Sequence, residues 1–155
     1  MTHTTLPEDG DLTGDTLPLP DRVRHRLAVA PGTLAVYLGL YLPIGFVMNA
    51  FGKWAGIAEF SHDWQVLTCY GLYLVPASLW VRHKAWFDQY LHGLLFLGLL
   101  ELAGYTLGTS IAHEGNLLDA IFTPRNFTLA MVLWFAVYLP AGNYAVARVE
   151  RLLGR

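Results

Sequence analysis

The chain has 155 residues, of which 54% are hydrophobic and only 14% charged, against about a quarter charged in an ordinary soluble domain. Mean hydropathy is +0.39, and a formal net charge of −2 with no basic cluster gives nucleic acid nothing to bind. Cys69 is the sole cysteine, which excludes an internal disulfide and a cysteine-based metal centre.

The first 26 residues carry Glu8, Asp9, Asp11, Asp15 and Asp21 together with Pro7, Pro18 and Pro20, and read as a disordered tail. The same segment would also serve as a docking site for a partner. Four uncharged or nearly uncharged runs follow. Residues 27–52 lie between Arg26 and Lys53, and 64–81 between Asp63 and Arg82. Residues 89–112 lie between Asp88 and His113, with Glu101 as their only acid, and 126–147 lie between Arg125 and Arg148. The runs are 26, 18, 24 and 22 residues long, near the ~20 that an α-helix needs to cross a bilayer. None has the polar stripe of a helix that faces water on one side. Continuous rather than alternating hydrophobicity excludes a barrel.

The expected fold is therefore an all-α integral membrane domain over 27–155, a four-transmembrane-helix bundle. Short connections make consecutive helices antiparallel neighbours, hence an up-down-up-down order. Eight of the ten basic residues fall before the first run, between the second and third, and after the fourth; only Lys53 and Arg125 fall on the other side. The positive-inside rule then puts both termini in the cytoplasm. Trp54 and Trp64 mark the outer interface and Trp80 and Trp86 the inner one. The first run is too long for the ~7–15-residue core of a cleaved signal, so it reads as an uncleaved anchor in a bacterial inner membrane.

The centres of the four runs bring Tyr41, Tyr73, Glu101 and Tyr138 to one depth. Each tyrosine is followed two or three positions on by Pro43, Pro76 or Pro140. A proline in a helix removes one ladder hydrogen bond, here leaving the carbonyls of Gly39, Leu72 and Ala136 short of a donor. An acid at the centre of a spanning helix costs about 2.5–3.5 kcal/mol on insertion scales and should face the bundle. Leu97, Glu101, Gly104 and Gly108 share a face, and the two glycines permit close helix approach. Low dielectric favours the neutral carboxyl group, which suits tyrosine partners. Glu101, Tyr73, Tyr138 and Tyr41 are thus the candidate catalytic set, although aromatic packing alone explains the tyrosines. Asn49 and Asn143 read as interhelical hydrogen-bonding groups, and His92 as the i+4 ion-pair partner of Asp88.

At the outer face His62, His113 and Glu114 suit a divalent transition metal, against a bland reading as hydrated loop polarity; no other cofactor is expected. Residues 116–122 suggest a short interfacial helix. No glycine-rich phosphate loop, serine nucleophile elbow or Cys–His pair is present. Three functions compete. The first is acid–base catalysis (isomerase, cyclase or hydratase type) on a lipophilic substrate, favoured because no polar path is written along any one helix. The second is a proton, ion or small-molecule binding or transport module, which would call for a homo-oligomer. The third is an accessory or assembly subunit of a larger membrane complex.

Overall fold

The computed structural model describes residues 18–107, 110–112, 121 and 132–154, leaving aside the side chains at 101, 104–107 and 110–112. The chain is helical, with one short two-stranded ladder. Helix α1 (Leu19–Leu27) occupies part of the segment expected to be disordered over 1–26; residues 1–17 lie outside the described set. Its charges explain it. Asp21 sits in the first turn and Arg24, His25 and Arg26 in the last, each at the end of the helix dipole that favours it.

Helix α2 (Pro31–Trp54) starts later than the expected 27 because Ala30, extended at ψ 142° before a proline, breaks it from α1. Pro31 then fits the first turn, where no N–H is needed. The helix ends in a Schellman turn. Gly56 takes φ +63°, Ile57 N–H donates to the Gly52 carbonyl at 2.9 Å, and Gly56 N–H donates to that of Lys53 at 3.2 Å. Strand β1 (Ala58–Phe60) follows and folds back on α2, where a Cβ at Gly52 would strike the Ala58 carbonyl oxygen.

Residues 63–81 form one continuous helical rod of three parts. These are α3 (Asp63–Leu67), a π-helical segment (Thr68–Leu74) and α4 (Val75–Val81). The π segment ends at Leu74, two residues before Pro76, whose missing N–H cannot continue an α ladder; the widened turns absorb the defect. Helix α5 (Trp86–Leu107) gives way to strand β2 (Ser110–Ala112), so the third run is not helical to 112 as expected. β2 pairs antiparallel with β1, Glu59 opposite Ile111, and the strand partner at hand replaces helix there. In the fourth run residues 132–135 are helical, and after a tightened turn at 136–137 helix α6 runs over Tyr138–Leu152, past the expected end at 147.

Helix α6 packs on α2, α4 and α5, and β1, paired with β2, covers the far end of α2. α1 lies against α4, where the Arg26 guanidinium sits 5.1 Å above the Trp80 ring and Arg82 Nη2 donates to the Ala28 carbonyl at 3.2 Å. The molecule thus has a basic end, with α1, Arg82, Lys84 and Arg151, and a ladder end. Among the described residues one helix, Pro31–Trp54, is long and apolar enough to cross a membrane, and only 17% of its most apolar window is buried.

Two glycines separate close packing from open space. The Ala136 carbonyl, deprived of its helical donor by Pro140, points at Gly93, where an added Cβ would lie 2.7 Å from the oxygen. Nothing lies within 4 Å of a Cβ at Gly39. Gly93→Ala should therefore cost about 1–3 kcal/mol through overpacking against backbone. Gly39→Ala should be neutral or gain up to about 1 kcal/mol of helix propensity. Equilibrium unfolding in detergent micelles measures both, and equal effects would contradict the packing described.

Candidate functional site

Side chains spaced four apart on α2 (Thr33, Tyr37, Tyr41 and Gly45) point along one face, as the helical period requires. On α6 the facing row is Tyr138, Gly142, Asn143 and Glu150. The two rows run antiparallel and meet in rungs. At the basic end Thr33 Oγ1 donates to Glu150 Oε1 at 2.5 Å. One turn on, the Tyr37 hydroxyl donates to Asn143 Oδ1 at 2.6 Å. Next, the Tyr41 hydroxyl and Ser78 Oγ share a hydrogen bond of 2.5 Å. Asn143 Nδ2 donates to the Ser78 carbonyl at 3.1 Å and to Gln89 Oε1 at 2.8 Å, and Gln89 Nε2 donates to the Lys84 carbonyl at 2.8 Å.

These groups are deeply placed, with Tyr41 1% and Asn143 8% exposed. Tyr41 fits because Gly142 has no side chain: its hydroxyl lies where a Cβ would stand. Beyond Tyr41 the phenols continue. Its ring centre is 5.1 Å from that of Tyr138, edge to face, and Tyr138 is 5.7 Å from Tyr70 in the same manner. Such contacts are favourable aromatic geometry. The Tyr138 hydroxyl is buried and has no hydrogen-bond partner among the described residues. Tyr70 in turn packs on Gly45, where an added Cβ would lie 2.5 Å from its ring.

Tyr70 also lines a cleft of about 140 Å³ at the ladder end. The walls are largely apolar, with Leu97, Leu100 and Phe135 among them, and the polar groups are Asn49, Glu59 and the Tyr70 phenol. Asn49 holds the cover in place: its Oδ1 accepts the Phe60 N–H of β1 at 2.7 Å. Lys53 Nζ pairs with Glu59 Oε2 at 3.2 Å over the same corner. Asn49 therefore ties helix to strand, where an interhelical bond was expected, while Asn143 joins three helical elements as expected.

Of the sequence-derived set, Tyr41 and Tyr138 come together and Tyr73 does not join them. The Tyr73 hydroxyl donates instead to the Phe96 carbonyl on α5. The Glu101 backbone lies in α5, four residues beyond Leu97 and one beyond Leu100 of the cleft wall; its side chain lies outside the described set. His62 is exposed at the start of α3, with its N–H bonded to Gln65 Oε1 at 3.0 Å. His113 and Glu114 lie outside the described residues, as do 116–120, and no group of three His, Cys, Asp or Glu able to hold a metal occurs among those described. His92 Nδ1–H donates to the Asp88 backbone carbonyl at 2.7 Å, so the geometry is a backbone bond in place of the expected ion pair.

Tyr70, Gln89 and Thr33 were not singled out from sequence. Reading polar residues by four-residue steps along α2 exposes Thr33 beside Tyr37 and Tyr41. Tyr70 had no such signal, because the π turns shift the phase of the helix and bring it, rather than Tyr73, to the α2–α6 side.

Asn143 is the junction of these bonds, and Asn143→Leu would strand the Tyr37 hydroxyl and the Gln89 amide. Interhelical bonds away from water are worth about 0.6–1.7 kcal/mol each, so a loss of about 2 kcal/mol is expected in detergent unfolding. A change within error would show that the junction carries no stability. No known family, curated protein or solved structure matches this chain, and the reading below rests on its own geometry.

Proposed function

We propose that the chain is a four-span integral membrane protein that binds a small lipophilic molecule, or the apolar end of a longer one, in the ladder-end cleft. Its polarity supports the membrane reading. Leu72, Trp134 and Val47 are 76%, 77% and 66% exposed, while Ser78, Gln89 and Asn143 are buried. Water selects the reverse arrangement, and hydrocarbon tolerates this one. The 19 continuous helical residues of 63–81 and the 22 of α5 are lengths that suit spans beside α2. Trp54 and Trp64 at the ladder end and Trp86 at the basic end are exposed, as indoles at two interfaces would be. The basic end is the cytoplasmic one in this reading, and the membrane a bacterial inner membrane.

The cleft carries the functional part of the proposal. A cavity of about 150 Å³ lined by apolar side chains holds a benzene-sized molecule, so about 140 Å³ suits one ring or one branched five-carbon unit. Asn49 and the Tyr70 phenol offer such a ligand a polar end. Glu101, next to the wall residue Leu100 and one helical turn beyond Leu97, is the assigned proton-exchanging group, and Tyr70 the phenol that stabilises developing charge. The reaction class is isomerisation, cyclisation or hydration. Each needs only acid–base chemistry.

The protein should stay in the pellet after alkaline carbonate washing of membranes. Lipid extracts of the purified protein should contain one enriched lipophilic species, absent from Leu100→Trp, which fills the cleft. Glu101→Gln should retain that species and stop its conversion, read as accumulation of one isomer or adduct in whole-cell extracts. Identical extracts from cells with and without the protein, its presence in the membrane confirmed, would sink the proposal.

A further inference from the structure

We infer that the α2–α6 seam is a proton path that joins the cytoplasmic surface to the ladder-end cleft through Glu150, Thr33, Tyr37, Tyr41, Tyr138 and Tyr70. The inference rests on the cleft reading above and gives that site a proton supply. Polar side chains lie at successive depths along the seam: Thr33, Tyr37 and Tyr41 on α2 and Glu150 and Tyr138 on α6, with Tyr70 of the π segment at the cleft. From Thr33 to Gly45 the rungs climb 12 residues of α2, about 18 Å at 1.5 Å per residue. That is over half of a ~30 Å hydrocarbon layer.

Each station has a group that both gives and takes a proton, or a carboxylate. Glu150 accepts from Thr33 at the basic end. The Tyr37 and Tyr41 rings are 5.8 Å apart, Tyr41 and Tyr138 5.1 Å, and Tyr138 and Tyr70 5.7 Å. These are ring-centre separations, and the Tyr37 and Tyr41 hydroxyls bond Asn143 and Ser78; each hand-off therefore requires a hydroxyl to turn from that partner onto the row, directly or through a bridging water. The step is balanced without any redox partner: as a hydroxyl receives a proton on its oxygen, it releases its own to the next acceptor. The Glu150 carboxylate first takes a proton from cytoplasmic water and then gives it to Thr33, whose hydroxyl turns from Glu150 toward Tyr37; at the other end Tyr70 passes one proton to an acceptor in the cleft. Asn143 holds Tyr37 in register but relays nothing, since its amide oxygen only accepts.

Tyr138 is the observation that a packing explanation leaves over. Its hydroxyl is buried without a hydrogen-bond partner among the described residues, and its ring lies against those of Tyr41 and Tyr70. A purely structural aromatic at that place would be phenylalanine, because an unbonded buried hydroxyl only costs stability. A relay has use for a hydroxyl free to turn from one neighbour to the other.

The test is proton flux into proteoliposomes with an entrapped pH dye, driven by a potassium diffusion potential, with bound lipophile measured on the same preparations. Wild-type protein should acidify the vesicles faster than protein-free lipid. Tyr138→Phe removes no hydrogen bond seen among the described residues, so it should fold, keep its bound lipophile, and fall to the protein-free rate. Tyr41→Phe, which also takes a buried hydrogen bond from Ser78 and so costs some stability, should likewise lose the flux, and Tyr90→Phe, whose hydroxyl bonds the Leu133 carbonyl outside the seam, should conduct like wild type. Wild-type flux no greater than empty vesicles, or full flux in Tyr138→Phe, overturns the path and leaves the cleft reading standing. Flux that needs Tyr138 in a protein that carries no lipophile supports the path and removes the cleft reading.

Discussion

An amide with no water to turn to must find its partners in neighbouring helices, and Asn143 does so on three of them. It accepts from Tyr37 of α2 and donates to the Ser78 carbonyl of α4 and to Gln89 of α5. Those bonds set the rotation of α6 about its axis. Once α6 is turned that way, Gly142 faces Tyr41, Tyr138 reaches the Tyr70 ring, and Glu150 reaches Thr33. The outward positions Trp134, Val137 and Tyr144 then lie exposed. A single residue's need for satisfaction thus orders the interior and fixes which surface is apolar.

The proline positions had structural effects of three kinds. Pro43 sits inside α2, which runs on through it. Pro76 is preceded by seven residues of π-helix, and Pro140 by a tightened turn whose carbonyl rests on a glycine of the next helix. Each is a different way to accommodate a missing donor. Only the second changes which side chains face inward, and this is why Tyr73 bonds to α5 while Tyr70 joins the phenol row.

Much of the helical layout was legible from where charges are absent, since Arg26, Lys53, Asp63, Arg82 and Asp88 bracket the helical stretches to within a few residues. Matching depth put Tyr41, Tyr73 and Tyr138 in one layer; the first and last meet, while Tyr73 turns to α5. The rest depended on information that hydropathy does not carry. The α1 helix owes its order to a dipole-matched charge pattern and to Trp80 beneath Arg26, and the strand at 110–112 to a partner some fifty residues earlier. The seam was invisible for a similar reason: its polar groups belong to different helices and make a row only after packing. Phase, not composition, decided the remainder.

The tightened turn at 136–137 divides the last helical stretch unequally. Below it, α6 is bolted by Asn143 and Glu150; above it, Val132 and Phe135 form part of the cleft wall. The Ala136 carbonyl lies against Gly93 and, with Pro140 four residues on, has no ladder donor, so one backbone hydrogen bond is missing at that place. Wall and bolt are therefore two parts of one stretch of chain that meet where its hydrogen-bond ladder is weakest, so the former can shift with less strain on the latter than an unbroken helix would allow.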